Sequence, residues 1–144
     1  MAALTDFAEN RIVDSVLRSQ ALGAPTTWHV ALYTTAPTDA AGGIEVTGGG
    51  YARVAVAASL AAWAGTQGAG TTVASNGTGG VTSNNAVITF PTPSAAWGTV
   101  VAFGLFDAAT GGNLWIHSPL TASRTISAGD IVTFAAAALT VQFG

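Results

Sequence analysis

The sequence predicts a mainly β fold: an antiparallel β-sandwich or jelly-roll-like domain led by one N-terminal α-helix and carrying a long Gly/Thr/Ser-rich arm. Three observations point there. Short runs of Val, Ile, Thr and aromatic residues with period-two alternation recur from Thr26 onward, bounded by Gly, Pro, Asn or Asp. Helical periodicity is confined to the residues before Gly23. Residues 65–85, GTQGAGTTVASNGTGGVTSNN, carry no charge and only two Val, a composition too poor in apolar surface to fix a core.

The helix is predicted over about residues 6–21. Leu4, Ala8, Ile12, Val16 and Leu17 recur at helical spacing, and Val13 widens the stripe. Asp6 and Glu9 stand in the capping-box relation, with Asp6 as N-cap. Gly23 supplies a left-handed stop and Pro25 prevents resumption. Five of the eleven charges fall in the first 18 residues. The apolar stripe is read as packing on its own domain, with docking on a partner as the alternative.

TWHVALYT (27–34) alternates Trp28, Val30 and Leu32 with His29, Ala31 and Tyr33. Pro37 keeps the TTAPTDAAGG stretch that follows out of a central strand. YARVAVAA (51–58) alternates again, with Ala52, Val54 and Val56 on one face, while SLAAW (59–63) is open between helix and strand. Residues 65–85 are then a loop or arm, in which Asn76-Gly77 suits a turn. Five further strands are expected at 86–90, 98–107, 113–120, 130–136 and 138–143. The segment FDAATGGNL joins two of them as a hairpin, its glycines serving positive-φ positions at the tip.

At 144 residues and 14.2 kDa the chain is expected to form one domain, 1–144. Mean hydropathy is +0.48, yet much of the 49% apolar content is alanine, which buries little area. Charged residues make up 8%, against ~25% in a typical soluble domain. A surface so poor in charge points to permanent partners. With no lysine and four scattered arginines, no basic face exists for nucleic acid or an anionic membrane. No cysteine is present, which removes disulfides and thiolate chemistry. The N-terminus lacks a basic start, so no signal peptide is expected. The longest mostly apolar run, 54–64, is about half of the ~20 residues a membrane span requires.

Catalytic patterns fail one by one. Gly65, Gly68 and Gly70 are not followed by Gly-Lys-Ser/Thr, which argues against a phosphate loop. No G-x-S-x-G occurs, and His29 and His117 lie on separate strands at surface or interface positions. His117 is assigned to the face of Trp115, opposite Leu114 and Ile116. A glycosidase would need paired carboxylates. Of Asp39, Glu45, Asp107 and Asp130, both Asp107 and Asp130 stand where turns use Asx chemistry. No D-x-D-x-D-G calcium loop is present. The expectation is a non-enzyme with no catalytic, cofactor-binding or metal-binding residues and no cofactor.

The string WGTVVAFGLFDAATGGNLWIHSPLTASRTISAGDIVTFAAAALTVQF resembles a family of small tailed-bacteriophage virion proteins, commonly labelled phage tail fibre proteins. ALTDFAENRIVDSVL, VALYTTAPTDAAGG and the GGGYARVAV block extend the resemblance over nearly the whole chain. Arg124 stands where the family often has Lys, and Ala137 where it often has Gly. The resemblance implies a structural protein of the virion, made in the cytoplasm of the infected bacterial host. Small size, low charge, the 65–85 arm and the absence of a shaft repeat favour a capsid decoration (cement) protein within that family. Such a protein would bind the major capsid protein as a dimer or trimer and stabilise the shell. The alternative is a tail-fibre or tail-tip component that recognises host-surface glycans, with Trp63, Trp97 and Trp115 as candidate contacts.

Overall fold

The computed structural model describes residues 2–143. In chain order it contains β1 (Ala3–Leu4), α1 (Asp6–Arg18), β2 (Thr27–Thr35), β3 (Ile44–Glu45), β4 (Val54–Ala57) and β5 (Val81–Ser83). There follow β6 (Ile88–Thr89), β7 (Gly98–Phe106), β8 (Leu114–Ile126), β9 (Thr133–Phe134) and β10 (Thr140–Gln142). The protein is mainly β with one helix and antiparallel pairing throughout, as the alternation predicts.

One main sheet runs β1-β8-β7-β2-β3, and β4 also pairs with β2. β3 and β4 therefore share one edge of β2, opposite residues 33–35 and 27–30. The second layer is built from two short ribbons, β5 with β10 and β6 with β9. Val30, Leu32, Phe103 and Leu105 share a buried cluster with Ile88, Phe90, Leu139 and Val141 from the ribbon side. Side chains alternate across a strand, so the opposite face of β2 and β7 holds Ala31, Tyr33, Ala102 and Phe106, which form a smaller cluster with Leu114. Burial on both faces explains why 100–106 reads as a nearly unbroken apolar run.

The helix is shorter than the expected 6–21, and Asp6 is not its N-cap. Thr5 caps it: the buried Thr5 hydroxyl accepts the Ala8 N–H at 3.4 Å and donates to the Leu114 carbonyl at 2.5 Å. Asp6 instead gives its backbone N–H to the Asp39 carbonyl at 2.8 Å. A residue able to bond both helix and sheet displaces the better isolated cap. The stop comes at Ser19, left-handed at φ 56°, four residues before Gly23, which is left-handed too. Leu4 belongs to β1, not to the helical stripe.

The 65–85 segment lies along its own domain as a loop. Thr71 Oγ1 accepts the Gly65 N–H at 2.9 Å and donates to the Gly68 carbonyl at 2.6 Å. Ser75 Oγ accepts the Thr66 N–H at 3.2 Å. Asn85 binds Gly70 N–H and the Thr71 carbonyl at 3.2 and 3.1 Å, and 81–83 form β5. Gly77 is required by close approach to the Thr66 carbonyl, since it has no positive φ. SLAAW resolves as a single turn closed by Ala62 and Trp63 N–H on the Ser59 carbonyl. β8 runs on to Ile126, six residues past the expected strand, through a register shift opposite Val100 and Ala102.

Candidate functional site

The residues with chemistry converge on the β7–β8 hairpin, whose tip is Asp107–Asn113. Asp107 Oδ1 accepts the Asn113 N–H at 2.7 Å, and Oδ2 accepts the Asn113 amide and the Trp115 indole N–H at 3.1 Å each. Partial burial pushes the Asp107 carboxyl up, but these donors outweigh it and hold the group below the usual carboxylate range. Gly111 and Gly112 take φ 59° and 71° at the tip, as the turn chemistry predicts. A Cβ on Gly112 would also meet Asp107 Oδ1 at 2.5 Å.

Arg53 grips the same tip from β4's flank. Its Nε and Nη2 donate to the two Glu45 carboxylate oxygens at 2.8 Å each. Nη1 donates to the carbonyls of Ala108 and Gly111 at 2.9 and 2.8 Å. The Tyr51 hydroxyl donates to Glu45 Oε1 at 2.8 Å and accepts the Leu32 N–H at 3.0 Å. Burial first, then the Glu45 charge, pushes the Tyr33 phenol up to about 12. Tyr51 is raised as well, mainly by burial. Arg53 loses some basicity to burial, but Glu45 more than restores it and raises it overall. Glu45, Arg53 and the Tyr51 hydroxyl are thus all engaged with one another or with backbone groups of β2 and the hairpin tip. Sequence reasoning missed this network. Its only signal was that Tyr51 and Arg53 share a strand face, with Glu45 six residues upstream of Tyr51.

The other singled-out residues do not assemble into a site. His29 pairs across the sheet with Phe106 and His117 with Gly104, so β7 lies between them. Gly104 faces Ala31, two residues along from His29, so two strand spacings plus that offset place the histidine backbones about 12 Å apart. His117 Nε2 is buried without a hydrogen bond, 3.4 Å from Asp39 Oδ1. Asp130 reaches back to accept the Ser127 N–H at 2.7 Å while its own N–H bonds the Ser127 carbonyl at 3.2 Å, so it closes the turn reciprocally and not as the expected Asx turn. Among the described residues no group of three or more His, Cys, Asp or Glu gathers as metal ligands would. Gly65, Gly68 and Gly70 sit in the loop, and no helix follows them.

Of the three tryptophans proposed as glycan contacts, two are core. Trp97 and Trp115 are 5% and 4% exposed. Trp97 donates its indole N–H to the Gly49 carbonyl at 2.9 Å, and Trp115 packs edge-on against Phe7 and Trp28. Trp115 thus leaves the face assigned to it with His117. Trp63 is half-buried beside a groove of about 590 Å³ that Trp28, Leu60 and Phe143 also line.

A search of curated proteins finds no match. The family model described as podophage GP4 fiber I protein gp80 matches residues 3–142, which takes in the helix, the hairpin and both ribbons. With practically the whole chain matched, the protein belongs to the family of the podophage GP4 fiber I protein gp80.

Proposed function

We propose that this chain is a non-enzymatic structural subunit of a phage fibre, carried on the virion. The observation that carries the reading is the family match over residues 3–142. The internal satisfaction of Asp107, Glu45 and Arg53 supports it, because the polar residues of the hairpin hold the fold together. The preference for a cement protein on the major capsid protein drew on 65–85 as an arm across neighbouring shell subunits. That segment spends Thr66, Thr71 and Ser75 on bonds within itself, which weakens the arm argument and leaves small size, low charge and the missing shaft repeat as support for the cement alternative.

The test is location. Gold-labelled antibody raised against the purified chain is expected to mark the fibres of intact virions. Labelling spread over the head would overturn the fibre reading in favour of the cement protein. Purified chain slowing the heat-induced rupture of undecorated heads would do the same.

A further inference from the structure

Asparagine followed by glycine is a chemically labile pair, and the chain holds one, Asn76-Gly77. The backbone nitrogen of the second residue attacks the side-chain amide carbon of the first, and glycine has no side chain to block the approach. Here the fold dictates the glycine. A Cβ on residue 77 would run into the Thr66 carbonyl. The residue that enforces the pair also restrains it, because Thr66 Oγ1 accepts the Gly77 N–H at 2.9 Å. The Asn76 N–H reaches Gln67 Oε1 at 3.4 Å, so both peptide planes that flank Asn76 are tied to 66–67. Thr66 N–H donates to Ser75 Oγ and Gln67 Nε2 to the Ala74 carbonyl, at 3.2 Å each. The other four asparagines are held differently. Asn10 and the residue after it lie within α1, while the side-chain amides of Asn84, Asn85 and Asn113 donate to Ala86 and Ala135, to Ala61 and Thr71, and to Asp107. Asn76 is exposed, and among the described residues its side-chain amide makes no hydrogen bond.

We infer that Asn76 is a site of spontaneous deamidation whose rate the Thr66 hydroxyl holds down. Gly77 N bonds to Asn76 Cγ and the Cγ–Nδ2 bond breaks, closing a five-membered imide. The proton leaves the Gly77 nitrogen and, by way of water, ends on the departing ammonia. Water then opens the imide at one of its two carbonyls, giving aspartate or isoaspartate. No oxidant or cofactor enters. Attack needs the Gly77 nitrogen stripped of its proton, so its bond to Thr66 has to be given up, and one such bond is worth several-fold in rate. Either product places a negative charge in 65–85, which has none. Isoaspartate also routes the backbone through the former side chain and lengthens it by one carbon. The bonds to 66–67 then fall out of register, and the loop loosens while its stems stay joined from Ala64 to Ser83.

The inference goes beyond the fibre-subunit reading and does not depend on it, because the purified chain and water carry the whole reaction. Folded chain is incubated at mildly alkaline pH beside a sample in denaturing urea, and its peptides are mapped by mass spectrometry for a gain of one mass unit. The gain is expected at Asn76 before any other asparagine, and at least about tenfold faster in urea than in the folded chain. Thr66→Val should speed the folded reaction by about three- to tenfold. Thr66→Ser, which keeps the acceptor, should stay near the wild-type rate, and Asn76→Gln should abolish the gain. A gain that appears first at Asn10, Asn84, Asn85 or Asn113 overturns the site. Folded chain reacting as fast as the urea sample, or Thr66→Val no faster than wild type, overturns the restraint. Equal acceleration in Thr66→Val and Thr66→Ser does so too, since loosened packing and not a lost acceptor would then be the cause.

Discussion

The Arg53 guanidinium lies over the Phe106 ring, 3.5 Å from its centroid, while it binds both oxygens of Glu45. One side chain therefore joins β3, the β4 flank and the hairpin tip, and is only 8% exposed in doing so. Lysine keeps the charge but has neither the planar fork nor the stacking surface. Arg53→Lys is expected to cost about 2–3 kcal/mol in urea unfolding with an unchanged m-value, and Arg53→Ala more. Amide exchange at 108–113 should quicken in both. A loss of less than about 0.5 kcal/mol for Arg53→Lys would sink the anchoring role.

The chain has two tyrosines, no lysine and no cysteine, and both tyrosines face Glu45 and Arg53. Few other groups titrate in the alkaline range where a phenol does. Tyr33 is pushed up to about 12 and Tyr51 is raised too, so both lie above their unfolded value of ~10. A raised folded pKa contributes stability that is whole below the unfolded value and lost as pH climbs through the folded one. Unfolding free energy should hold to about pH 10 and then fall. Phenolate absorbance should appear together with loss of structure. Smooth ionisation of both tyrosines near pH 10 in a protein that stays folded would contradict this.

Asp107 has the opposite sign. Burial is the largest single influence and pushes its carboxyl up, but the Asn113 and Trp115 donors together outweigh it and hold the group below the usual range. Its contribution is present above the unfolded value of ~4 and is lost as pH falls through the lower folded one. Asp107→Asn keeps the shape but removes the charge that three donors point at. Its expected cost at neutral pH is about 1–3 kcal/mol. The gap between variant and wild type should narrow below pH 4. A cost independent of pH would assign the effect to packing instead.

The fold class was legible because alternation is a local signal: β2, β7 and the hairpin follow from Val, Phe and Leu at period two and glycines at the tip. What escaped was set by partners distant in sequence. Thr5 outranks Asp6 as the cap because a β8 carbonyl, 109 residues away, binds its hydroxyl. Trp97 and Trp115 look like surface aromatics until their indole N–H groups find Gly49 and Asp107. The stripe read onto the helix is apolar as its spacing says, and packs on its own domain at Leu4 and Ala8 but not at Ile12, Val13, Val16 and Leu17. Periodicity shows that a face exists and says nothing of what lies opposite it.

The 65–85 loop leaves and returns at neighbouring points. Ala64 N–H bonds the Ser83 carbonyl at 2.8 Å, and Thr82 Oγ1 donates to the Ala64 carbonyl at 2.7 Å. Its own bonds are mostly internal, so the stems do not depend on its tip. Replacing 66–80 by a short Gly-containing turn should leave near-UV circular dichroism and cooperative unfolding intact. Closure entropy changes little with loop length, so the expected change in stability is within about 1 kcal/mol. Loss of a cooperative transition would show that the loop is part of the core.

Asn84 closes the ribbon layer from inside it. It is 1% exposed, its Nδ2 donates to the Ala86 and Ala135 carbonyls at 2.8 and 2.9 Å, and its Oδ1 accepts the Leu139 N–H at 2.9 Å. Its backbone adds bonds to Leu139 and Ala137. Ala137 is left-handed at φ 65°, a conformation costly for alanine that this double grip helps to hold. Asn84→Ala would strand one donor and two acceptors in a dry interior. At about 1–3 kcal/mol per unsatisfied buried group, with some relaxation, the expected loss is about 3 kcal/mol or more. Asn84→Asp should do no better, because a carboxylate there faces two carbonyls. Ala137→Gly, by contrast, should be neutral or stabilising by up to about 1 kcal/mol, since glycine takes that φ freely. Thermal unfolding of the three variants side by side checks the pair of signs. A tolerated Asn84→Ala together with a damaging Ala137→Gly would reverse the assignment of what holds the C-terminal segment in place.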